Sequence, residues 1–162
     1  MGIKSVPTKD RILTLSCIFL RIALASAFLV AVADRFGLLG PYGGRNVSWG
    51  DWKHFAQFVG VLNWFLPKSL IPAVAVIETG IETLLGVWLL VGVWPRIAAF
   101  SSAALLFLFA ITMGIALGIV APISYSVFSA AGAALLLGAV SHPSRETRTS
   151  SEHRALHFAG KF

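Results

Sequence analysis

Residues 70–94 read LIPAVAVIETGIETLLGVWLLVGVW, an apolar run whose only charges are Glu78 and Glu82. As a helix it is about 37 Å long at 1.5 Å rise per residue, enough to cross roughly 30 Å of hydrocarbon. Holding one carboxylate at the centre of a span costs roughly 2.5–3.5 kcal/mol on insertion scales. Two of them, one turn apart, are kept only where they face the interior of a bundle and find partners there. One other charge lies deep in an apolar stretch, Arg21, within the run from Ile12 to Ala33.

Composition points the same way. Hydrophobic residues make up 57% of the chain and charged residues 12%, against about 25% charged in a soluble domain. An ordinary water-exposed surface cannot be built from this composition, so the chain is expected to be an all-α integral membrane protein in the lipid bilayer. The formal charge of +6 does not indicate a nucleic-acid partner, because the basic residues gather at the termini and in loops, where they orient a membrane protein. The single cysteine, Cys17, excludes an internal disulfide and a two-cysteine relay, and is read as a small buried hydrophobe.

Four stretches are expected to span, at about 12–36, 70–94, 97–120 and 122–140, forming one membrane domain over 1–140. Residues 141–162 then form a polar cytoplasmic tail. Pro95-Arg96 and Ala121-Pro122 make close-set turns, which predict antiparallel neighbours and an up-down four-helix bundle. Small residues provide the packing faces: Gly114 and Gly118 in the third span, and Ser126, Ser129, Ala130, Gly132, Ala133 and Gly138 in the fourth. Eight basic residues fall on one side of these spans (Lys4, Lys9, Arg11, Arg96, Arg145, Arg148, Arg154, Lys161) and four on the other (Arg35, Arg45, Lys53, Lys68). The positive-inside rule puts both termini in the cytoplasm. A cleaved signal peptide is the rival reading of the first span, but signal apolar regions run about 7–15 residues and this one is longer and carries Arg21.

The external loop between Gly37 and Ser69 opens with glycines and continues SWGDWKHFAQFVGVLNWFLP. Ser48, with Asp51 three residues later, looks like a helix N-cap with an acidic first turn. Trp52, Phe55, Val59 and Leu62 then recur at helical spacing, with Lys53, His54, Gln57 and Gly60 opposite. The segment is too short in apolar residues to span, so an amphipathic helix in the outer interface is expected, serving as a membrane anchor or as a lid. His54 has no second ligand at metal-site spacing, no metal site is expected, and no span holds a histidine for an axial haem ligand.

Counting rise per residue places Arg21 about 13 Å in from Ile12, and Glu82 about 18 Å in from Trp94. Those depths predict a contact between Arg21 and Glu82, with Thr79 and Thr83 assisting and Arg35 lying near the outer surface beside Asp34. One arginine against two carboxylates leaves a charge over. Glu78 is therefore expected to keep its proton or meet water, as a proton-handling acid of a quinone site or an ion path does. A static polar clamp between the first two spans is the alternative.

At these residues the chain resembles the DoxX family of small four-span membrane proteins, through FLRIALASAFLVAVADRFG at 19–37 and ETGIETLLGVWLLVGVWPR at 78–96. The likeness covers roughly residues 12–140. It implies a four-helix bundle in a bacterial or archaeal plasma membrane, where some members are subunits of a thiosulfate:quinone oxidoreductase. On that basis the expected role is a membrane subunit of a quinone-linked oxidoreductase complex. Glu78 would accept the proton, Arg21 would fix Glu82, and Trp52, His54 and Gln57 would close over the quinone. Electrons would come from a redox partner subunit, and a homo-oligomer is a further possibility. A non-enzymatic scaffold or assembly factor is the alternative. A small-solute or ion pathway ranks behind both, since four short spans show no repeat.

Overall fold

The computed structural model describes residues 7–141, and all its regular structure there is helical. Helix α1 runs Pro7–Arg35, α2 Trp52–Leu62, α3 Ile71–Val91, α4 Pro95–Leu117, α5 Val120–Ser124 and α6 Val127–Val140, with a 3-10 turn at Lys68–Leu70. The basic residues Lys4, Arg145, Arg148, Arg154 and Lys161, and the polar tail after Ser141, lie outside the described residues.

Three helices are long and apolar enough to cross a membrane: α1 from Arg11, α3 together with the turn before it, and α4. Outward-facing side chains such as Leu15, Phe19, Val76, Ile77, Leu84 and Ile115 are mostly exposed, which suits a lipid environment. The expected fourth span is broken. Gly118 ends α4 at φ +87°, α5 is five residues long, and Ser126 holds a left-handed φ of +56° before α6 begins. Helix α6 has 14 residues, about 21 Å by rise, short of the roughly 30 Å of hydrocarbon. The turn after the third span therefore falls at Gly118 rather than at Ala121-Pro122. Gly118 is a helix stop, not the second half of a packing motif.

Four helices share one core, built from Leu24, Ala25 and Phe28 of α1, Leu85 and Leu89 of α3, Ala98 and Ala99 of α4, and Leu137 of α6. Within it, α1 packs chiefly on α3 and α4 on α6, while α3 and α4 touch less despite their short connection. Both close pairs are antiparallel. Arg21 of α1 meets Leu89 and Leu90 of α3, whereas Arg35 meets Thr79 and Glu82. Phe107 of α4 lies against Phe128 of α6, and Phe100 against Gly138. Small residues allow the approach: a Cβ on Gly138 would lie 3.0 Å from the Phe100 ring, and one on Gly86 2.9 Å from Leu29.

At the end where α1 finishes and α3 begins, α2 lies across the bundle. Its buried residues Phe55, Val59 and Leu62 match the expected apolar face, and the first two join Ile71 and Ala75 in a second core. The cap of α2 is Asp51, not Ser48: the Asp51 carboxylate accepts from the His54 amide at 2.9 Å. That amide hydrogen bond, then the His54 ring, hold the Asp51 carboxyl below its usual range. Trp64 and Phe65, just past α2, are mostly exposed, as aromatic anchors at an interface would be.

Candidate functional site

The last turn of α1 carries adjacent charges that do two different jobs. Asp34 is buried, and its carboxylate accepts hydrogen bonds from the amides of Ser48, Trp49 and Gly50 at 2.8, 3.0 and 3.2 Å. Three N–H donors aimed at one carboxylate form a nest that neutralises it without a cation. Gly50 makes the nest possible. It sits at φ +66°, and a Cβ there would run into the Tyr42 backbone.

Arg35 turns the other way, into the bundle. Its Nη2 donates to Glu82 Oε2 at 2.6 Å and its Nη1 to Thr79 Oγ1 at 2.8 Å. Thr79 in turn donates to the Ala75 carbonyl at 2.8 Å. The Phe55 ring lies over the guanidinium at 3.8 Å and the Trp49 ring at 5.4 Å. Arg35 is 2% exposed and Glu82 3%, so this ion pair is dry and charge-assisted. The Nε of Arg35 is buried without a hydrogen-bond partner.

The partner of Glu82 is therefore Arg35, not Arg21. Arg21 donates from Nε to the Leu89 carbonyl at 2.9 Å and from Nη2 to the Leu90 carbonyl at 3.2 Å. It caps the carboxyl end of α3, where unpaired carbonyls and the helix dipole both favour a cation. The expected contact fails because depth was measured from the apolar edge of each span. Helix α1 is 29 residues long and α3 is 21, so the start of α1 projects past the end of α3. That slides Arg21 toward the α3 terminus and brings Arg35 down to Glu82.

Glu78 stands apart. It is half-buried, and among the described residues it has no hydrogen bond and no ion pair. It lines a crevice of about 170 Å³ with Leu62 of α2 and Asn63 just past it, Ile81 of α3, and Leu105 and Thr112 of α4. Apart from Asn63 and Thr112, the lining is apolar. One acid in such surroundings has the setting of a proton carrier.

The three residues expected to close over a ligand do not line one hollow. Trp52 stacks on Phe36 at 5.9 Å and faces an open groove of about 740 Å³ with Thr79, Thr83 and Val87. His54 and Gln57 instead line a separate outer hollow of about 640 Å³ with Tyr42, Trp49 and Tyr125. The His54 ring is stacked on Tyr42 at 3.7 Å, and its Nδ1 lies 2.9 Å from the Asp51 carboxylate. No cluster of metal-ligating side chains occurs among the described residues.

Sequence reasoning passed over the Asp34 nest and the placement of Arg35. Two signals point to them: the adjacent opposite charges at a span end, and two spanning carboxylates that require more cation than Arg21 alone.

Comparison with known proteins matches residues 9–124 to the family described as methylamine utilisation protein MauE. No curated protein and no solved structure matches the chain. The matched stretch runs from the start of α1 through α5 and contains Asp34, Arg35, Glu78 and Glu82. It is a different family from the DoxX proteins that the sequence motifs resemble, though again one of small membrane proteins. With more than two thirds of its length matched, the chain belongs to the methylamine utilisation protein MauE family.

Proposed function

We propose that this chain is a membrane component of a redox system, and that Glu78 takes up and releases a proton there. The observation that carries this reading is Glu78 itself. Its neighbour Glu82 is ion-paired with Arg35, while Glu78 has no hydrogen bond or ion pair among the described residues and borders a crevice. A structural carboxylate in a membrane bundle would be paired, because an unpaired one is costly. The family name links its members to methylamine use, an oxidative process. The likeness to DoxX proteins separately motivates a quinone as the proton-coupled group, with its head at Glu78 and electrons drawn from a partner subunit. The largely apolar walls from the end of α2, from α3 and from α4, with one acid, suit such a head better than a polar metabolite.

The test is Glu78→Gln, assayed in the assembled system. The amide mimics a neutral acid, so the variant should fold and insert normally. Turnover of the linked oxidation should fall about 100-fold, the scale of lost general acid–base catalysis. Extraction of the purified complex should also return quinone. Wild-type turnover in Glu78→Gln would remove the proton-transfer role.

A scaffold or assembly factor is the second reading, favoured by the closed Arg35–Glu82 clamp. It predicts full activity in Glu78→Gln, with loss of partner assembly when the clamp is broken.

For orientation we propose that both termini face the cytoplasm of a plasma membrane and that the α2 cap lies outside. The eight-to-four excess of basic residues on the side of the termini, counted along the sequence, supports this. Single cysteines placed at Arg45 and Arg96 in a Cys17→Ser background should label differently. A membrane-impermeant maleimide should modify only the site at 45 in intact cells, and labelling confined to the site at 96 would reverse the topology.

A further inference from the structure

At the end opposite the α2 cap, the first turns of α1, the start of α4 and the end of α6 border a cleft of about 670 Å³. Two arginines line it, Arg21 and Arg96, and among the described residues no acidic side chain does. Leu13 and Ile18 form one wall, Ile97 and Val140 the other. The cleft is thus cationic at its polar positions and apolar along its sides.

The two arginines are differently engaged. Arg21 is held in place by the Leu89 and Leu90 carbonyls through Nε and Nη2, and among the described residues its Nη1 makes no hydrogen bond. A guanidinium carries five donors, so this one is positioned with donors to spare. Arg96 rests over the Phe100 ring at 5.7 Å, and among the described residues it makes no hydrogen bond or ion pair. It is exposed on the first turn of α4. Ser141 and Trp94 also line the cleft, a hydroxyl and an interfacial aromatic at one level.

We propose that this cleft binds an anionic membrane phospholipid, with its headgroup phosphate between Arg21 and Arg96 and an acyl chain along Ile97 and Val140. Several observations support that occupant over others. Helices α3, α4 and α6 all start or stop here, which puts both guanidiniums at headgroup depth. Among the described residues neither arginine has a carboxylate partner, and guanidinium matches phosphate oxygens in a bidentate fork. The walls offer hydrocarbon contact that a free phosphate cannot use. Basic pockets between spanning helices are recognised headgroup sites. The volume lies within the range of small-molecule sites, about 300–1,000 Å³.

The experiment is lipid retention by native mass spectrometry of the full chain in mild detergent. Phosphatidylglycerol is compared with phosphatidylcholine of the same acyl chains, each with and without millimolar inorganic phosphate. Phosphatidylglycerol should remain as a one-to-one adduct and phosphatidylcholine should not. Arg96→Gln, at an exposed position that leaves the fold alone, should weaken retention about fivefold, the effect of one surface cation on an anionic lipid. Arg96→Lys should keep most of it, and Arg21→Lys should lose bidentate binding while still capping α3. Equal retention of the two lipids would overturn the proposal, as would undiminished retention in Arg96→Gln. Full displacement by inorganic phosphate would replace it with a free-anion site.

Discussion

Removing either side chain of the Arg35–Glu82 pair should cost about 3–5 kcal/mol of stability in detergent, the penalty for leaving one buried charge alone. The pair is dry and its bond is short, at 2.6 Å. Arg35→Leu and Glu82→Leu should therefore each lower the melting temperature sharply. The double variant should recover part of the loss, because it strands neither charge. A thermal double-mutant cycle followed by tryptophan fluorescence gives the coupling, expected at about 1–3 kcal/mol. The parallel cycle of Arg21→Leu with Glu82→Leu should be additive, since Arg21 binds α3 carbonyls instead. If the Arg21 cycle shows the coupling and the Arg35 cycle does not, the α1–α3 register described here is wrong.

The second large effect is expected at Asp34. Asp34→Asn keeps the size but removes the charge and turns an N–H₂ group toward donors that need an acceptor. Hydrogen bonds to a charged group are worth about 1.5–3 kcal/mol each, and Asp34 accepts three. Allowing for partial compensation by water, a loss of about 3 kcal/mol follows. It should be local: amide exchange at Ser48, Trp49 and Gly50 should quicken well before exchange in the middle of α3 and α4. Uniform protection across the loop and the spans in Asp34→Asn would show that the nest does not hold the cap.

Much of the architecture is legible in the residues, and the reasons are physical. A carboxylate-bearing apolar run must be a buried face of a spanning helix, and α3 is one, with Thr79 and Glu82 inside. The Phe55–Val59–Leu62 spacing places α2 and selects its buried side. Relative depth is harder to read, because it belongs to the packing between helices. The α1–α3 register depends on Leu29 and the Ala25 carbonyl closing over Gly86, a contact with no hydropathy signal. An arginine two residues before Gly37 has the sequence signature of a span end, yet here it is covered by Phe55 and Trp49 from a segment many residues later. The fourth span misleads for a related reason. Residues 122–140 carry no charge, and the left-handed Ser126 is what parts the helix there.

If Glu78 acts as proposed, the contact of Phe55 with Arg35 bears on the route by which a ligand would reach it. Helix α2 cannot swing off the outer mouth like a hinged door, since lifting it would strip the ring from a buried cation and break open a dry ion pair. The crevice walls give the other way in. Ile77, Ile81 and Leu108 line it and are also largely exposed on the flank of the bundle. On the proposed role of Glu78, traffic to and from the acid would therefore run sideways between α3 and α4, out of the hydrocarbon itself. A molecule that makes that journey has to be dissolved in the membrane before it arrives.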